Sequence, residues 1–128
     1  MNGYRTLFLV AALYDLVLGA VFFLLYGPAF ELLGIALPNN TSYIHLTDAF
    51  VIVQGLGYWF VYQAPIANRG IAKVGVSYKF AFAALSIYYF LIGELLHSIF
   101  VLFGIADIAF LIGFVLFLRA TADRVPAE

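Results

Sequence analysis

The sequence predicts an all-α bundle of four transmembrane helices, and three observations carry that reading. Of its 128 residues, 66% are apolar and 10% charged, with a mean hydropathy of +1.06. A soluble domain of this size could not hide that much apolar surface from water. The apolar residues gather in four runs, at 6–26, 43–63, 76–95 and 98–118, each close to the roughly 20 residues that cross a bilayer. The six basic residues fall on one side of the resulting zigzag: Arg5 before the first run, Arg69, Lys73 and Lys79 between the second run and the core of the third, Arg119 and Arg124 after the fourth. The other two connections, Glu31 to His45 and Glu94 to Ser98, carry no Lys or Arg. The positive-inside rule then puts both termini in the cytoplasm.

Span 1 is expected to end at Gly27-Pro28, because proline cannot continue a helix. It is too long for a signal h-region and reads as a retained span. The first outer loop holds a short amphipathic stretch, Phe30 to Ile35, suited to the membrane surface. Pro38 to Ser42 is a turn, with Thr41 or Ser42 as the cap that starts span 2. Pro65 closes span 2, and a short basic loop leads to span 3. Gly93-Glu94 forms a tight outer hairpin into span 4. Four spans use nearly the whole chain, so one integral-membrane domain over 1–128 is expected, in a bacterial inner membrane.

Composition excludes several functions. A net charge of −1 argues against a nucleic-acid partner. The absence of Cys removes disulfides and thiolate chemistry. His45 and His97 share the outer side, but no metal-ligand spacing joins them, so neither metal nor cofactor is expected, and no catalytic residue is assigned.

Ionisable residues inside spans are costly, usually face the bundle interior and usually have partners. Asp15 and Asp107 lie near the middle of spans 1 and 4, and Gln54 near the middle of span 2. Lys79 lies about 10 Å to the inner side on span 3 and Asp48 a similar distance to the outer side on span 2. Helical spacing puts Asp15 with Ala11 and Gly19, Asp48 with Gly55, Lys79 with Ala83 and Ser86, and Asp107 with Gly104. Small residues permit close helix approach, so these faces are expected to point inward. Asp15 and Asp107 are expected to share one interior space, one of them pairing with Lys79, although the long Lys stem could also snorkel to the surface. Asp48, near a helix start, is expected to cap it. Fourteen Phe, nine Tyr and one Trp make the chain 19% aromatic. Tyr4, Tyr26, Tyr43, Tyr62 and Tyr78 read as interfacial belt residues. Tyr14, Tyr58, Trp59, Tyr88 and Tyr89 lie deeper.

Tyr14-Asp15-Leu16-Val17-Leu18-Gly19, Asn68-Arg69-Gly70 before Lys79, and Ala106-Asp107 resemble the corresponding parts of small four-span bacterial proteins of the DoxX-like group. A more distant similarity is to EXPERA-type four-helix proteins, which include sterol isomerases. The second resemblance implies an acid-lined pocket between the helices for a lipid or amine. The isomerases' catalytic His and Glu pattern does not map onto this chain, so a non-enzymatic role is the stronger expectation.

The expected function is binding of an apolar small molecule or membrane lipid in a central polar and aromatic cavity formed by Asp15, Gln54, Lys79, Tyr88 and Asp107. A small transporter or channel using Asp15 and Asp107, alone or as a homodimer, is one alternative. An accessory subunit of a larger membrane complex is another.

Overall fold

A computed structural model of the chain describes residues 1–124, and among them all regular structure is helical. The elements are α1 (Asn2–Leu24), α2 (Tyr26–Leu33), α3 (Ser42–Gln63), α4 (Arg69–Leu91) and α5 (Ile99–Ala120), then a 3-10 turn at Ala122–Arg124. Helices α1, α3, α4 and α5 are each long and apolar enough to cross a membrane.

The long helix expected through Tyr26 stops earlier, at Leu24. The cause is Pro28. It lacks an N–H, and its ring crowds the carbonyl four residues back, which is that of Leu24. The chain bends at Leu25 and continues as α2, whose Phe30 is buried and packs edge-on against Phe22 with ring centroids 6.2 Å apart. The expected amphipathic stretch is therefore the second half of a helix that begins at Tyr26. Gly34 (φ +70°) ends α2 and Gly93 (φ +73°) follows α4. At both, the next two N–H groups turn back onto the helix: Gly34 N to Glu31 O and Ile35 N to Phe30 O, Gly93 N to Phe90 O and Glu94 N to Tyr89 O. This left-handed cap satisfies two end carbonyls at a conformation that suits glycine.

Neither Thr41 nor Ser42 caps α3 with its side chain. Asn40 does that work: its Oδ1 accepts from Ser42 N at 3.0 Å and Ser42 Oγ at 2.6 Å. Helix α4 begins at Arg69, seven residues before the apolar run that marks span 3. Asn68 closes the short turn by donating from Nδ2 to Phe60 O in the last turn of α3 and to Ala64 O just beyond it. Arg69 then donates to Leu118 O at 2.9 Å and to Thr121 Oγ1 at the end of α5. Arg5 Nε donates to Tyr62 O at 3.0 Å. These bonds gather the starts of α1 and α4 and the ends of α3 and α5 at one basic end of the bundle.

The four long helices form two pairs. Helix α1 lies along α3 and α4 along α5, with sparser contact between the pairs. Gly19 and Gly55 explain the first pairing. A Cβ on Gly19 would meet Ile52 Cγ1 at 2.7 Å, and one on Gly55 would meet Leu16 Cγ at 2.8 Å, so only hydrogen fits between the backbones. In the second pair, Gly104 faces Ala83 and Ser86. All three glycines face neighbouring helices, as their shared faces with acids predicted. At the basic end the core is filled by Phe8, Tyr58, Val61, Phe114 and Phe117, all fully buried. Phe8 stacks on Phe114 at 4.6 Å and meets Phe117 edge-on at 5.0 Å.

Candidate functional site

The interior holds two distinct polar features. The first lies at mid-bundle. Lys79 on α4 is 1% exposed, so it does not snorkel. Its Nζ donates at 2.9 Å to Asp15 Oδ1 on α1 and at 2.9 Å to Asp107 Oδ1 on α5. The expectation that one carboxylate takes the ammonium is corrected: both do. The rings of Tyr14, Tyr58, Tyr78 and Phe110 surround the ammonium at 5.2–5.6 Å from their centroids, within cation–π range. Tyr78 is thus an interior ring and not a belt residue. Asp15 Oδ2 and the hydroxyls of Tyr14 and Tyr58 are buried without a partner. A buried ion cluster with unmet polar atoms adds little net stability, but removing one member is expensive. Because Asp15 and Lys79 belong to different helix pairs, their bond ties the two pairs together.

The remaining two residues expected at the site make no bond to this triad. Gln54 is half-buried on α3 and is not among the partners of Lys79. Tyr88 is 50% exposed and packs edge-on against Tyr89. An apolar helix shows no period that separates its lipid side from its inner side, so Tyr88 and Gln54 could not be placed from depth alone.

The second feature is a cavity of about 440 Å³ at the end of the bundle away from the basic residues. Its walls come from all five helices and include Phe22, Phe30, Tyr43, Phe82, Phe100 and Phe103. The bend at Leu25 makes room for it by carrying α2 aside, and Phe30 closes one wall. The triad lines neither this cavity nor the smaller groove at the basic end. One carboxylate does line the large cavity: Asp48. It is 9% exposed, and its buried Oδ2 has no hydrogen-bond partner. The expected capping role is corrected, because Asp48 is the seventh residue of α3 and so lies beyond the first turn, where the free N–H groups end. Its position was visible in the sequence only as an ionisable residue near the start of an apolar run, the sixth residue of 43–63.

Both histidines have local partners. His45 Nε2 is 3.0 Å from Phe23 O and its ring lies between those of Phe23 and Tyr26. His97 Nδ1 accepts from Ile99 N at 3.0 Å, at the start of α5.

Comparison of the chain with protein-family models, with curated proteins and with solved structures finds no match.

Proposed function

We propose that this protein is a non-enzymatic membrane protein that binds an apolar small molecule or lipid in the aromatic cavity, with Asp48 as its polar anchor. One observation carries the reading: a buried carboxylate without a partner faces a 440 Å³ apolar space. An unsatisfied buried polar group is costly, and an ionisable group inside a span is by default a candidate for function. An occupant with an apolar body and one hydrogen-bond donor, such as a hydroxyl or ammonium, offsets that cost. The size and lining are those of a small-molecule site, mostly apolar with few polar groups.

The site is therefore displaced outward from the mid-bundle cavity that the sequence suggested, and the Asp15–Lys79–Asp107 triad acts as the frame beneath it. The ammonium of Lys79 already occupies both midplane acids, which weighs against a transport pathway through them. The resemblance to DoxX-like and EXPERA-type proteins is in keeping with a pocket between helices. We place the basic end in the cytoplasm of a bacterial cell, which opens the cavity towards the outer leaflet.

Native mass spectrometry of the protein extracted in mild detergent tests this. Wild type is expected to retain an apolar adduct. Thr47→Trp, which puts a ring into the cavity, and Asp48→Leu, which removes the anchor, are expected to lose it. An adduct that survives both changes refutes the proposed site.

A further inference from the structure

Three of the six basic side chains are used within the protein. Lys79 belongs to the triad, Arg5 donates to Tyr62 O, and Arg69 donates to Leu118 O. Among the described residues, the side chains of Lys73, Arg119 and Arg124 make no hydrogen bond or ion pair, and Lys73 accepts only at its backbone carbonyl, from Ser77 Oγ. Two of these three line a single groove. It is about 350 Å³ in volume, and Lys73 and Arg119 border it together with Val76, Val115, Leu118 and Ala122. Lys73 and Val76 are one turn apart on α4. Val115, Leu118, Arg119 and Ala122 recur at three- and four-residue steps along α5 and the turn after it, and so share a face.

The placement is informative. Lys73 is the fifth residue of α4 and Arg119 the penultimate residue of α5. Both cations therefore stand towards the helix ends, where a lipid headgroup would lie if these helices cross a bilayer, while the valines and leucine run inward from them. We propose that this groove binds an anionic phospholipid, with its phosphate between Lys73 and Arg119 and the start of an acyl chain against Val76, Val115 and Leu118. Basic pockets between spans favour anionic headgroups by direct charge attraction. A zwitterionic headgroup brings its own cation to the same place and loses much of that attraction. A small soluble anion would leave the apolar floor uncovered. The inference does not depend on the aromatic cavity at the opposite end.

The test is titration of the purified full chain with phosphatidylglycerol and, separately, phosphatidylcholine of matched acyl chains, read by native mass spectrometry. Phosphatidylglycerol is expected to bind more tightly. Lys73→Gln with Arg119→Gln should weaken it about 30-fold, from two cations at the usual strength beside an anionic headgroup, and leave phosphatidylcholine binding unchanged. Both side chains are exposed, and Lys73→Arg with Arg119→Lys, which keeps the charge, should keep the preference. Arg124→Gln should leave it intact. Equal affinity for the two lipids overturns the proposal. So does an equal loss in Arg124→Gln, which would show a diffuse basic surface. Displacement of phosphatidylglycerol by millimolar inorganic phosphate, whatever the acyl chain, would assign the cations to a free anion and also overturn it.

Discussion

Removing the Lys79 ammonium leaves Asp15 and Asp107 facing one another in an apolar interior. Lys79→Met is therefore expected to lower stability by about 3–5 kcal/mol, the usual cost of leaving buried charge uncompensated. Combining it with Asp15→Asn and Asp107→Asn should recover most of that loss, because no charge then remains to be buried. Thermal melting of the single and the combined variant in one detergent measures both effects, and an unaltered midpoint for Lys79→Met would show that the triad does not hold the helix pairs together. Asp48 should behave in the opposite way. Its buried Oδ2 has no hydrogen-bond partner among the described residues, so Asp48→Leu should not destabilise the fold even as it removes the proposed anchor. The contrast explains what could be read residue by residue. Depth along a helix follows from counting, so Asp15 and Asp107 were placed together correctly. Whether a polar side chain has a partner depends on neighbouring helices, so the sequence by itself points Asp48 to a cap and Tyr88 to the interior, and neither holds in the structure.

At the scale of the element, pairing of α1 with α3 rests on two glycines that a larger side chain would drive apart. Gly19→Leu and Gly55→Leu are each expected to destabilise the bundle by about 1–3 kcal/mol through overpacking. Gly70→Ala, with open space around it, should be neutral or slightly stabilising, since alanine favours a helix. Equal losses at all three sites in a melting experiment would contradict the close approach of α1 and α3. The ends of elements were less legible than their centres. Pro28 marked a break, but the carbonyl it displaces lies four residues back, so α1 stops at Leu24. Arg69 and Lys73 looked like loop residues because they are charged. They are helical because Asn68 and Arg69 tie the end of α3 and the end of α5 to the start of α4.

For the whole molecule, charge asymmetry predicts which end faces the cytoplasm. The chain has no Cys, so single cysteines report topology cleanly. With Asn39→Cys and Ala67→Cys in intact cells, an impermeant thiol reagent is expected to label only the first. Labelling of Ala67→Cys alone would invert the orientation, and with it the leaflet served by each cavity.

Hydropathy and the spacing of basic residues determined four spans and their zigzag, because these depend on what each segment can tolerate as a solvent. Small residues beside acids determined which faces turn inward, because close helix contact excludes bulk. Tertiary structure decided the rest. It brought Lys79 to two acids at once instead of one, because three helices meet at that depth. It put the cavity at the end where Pro28 bends the chain and α2 leans away, since the opposite end is filled by stacked phenylalanines. It also left Asp48 without a partner, which depends on the walls that four other helices place around it.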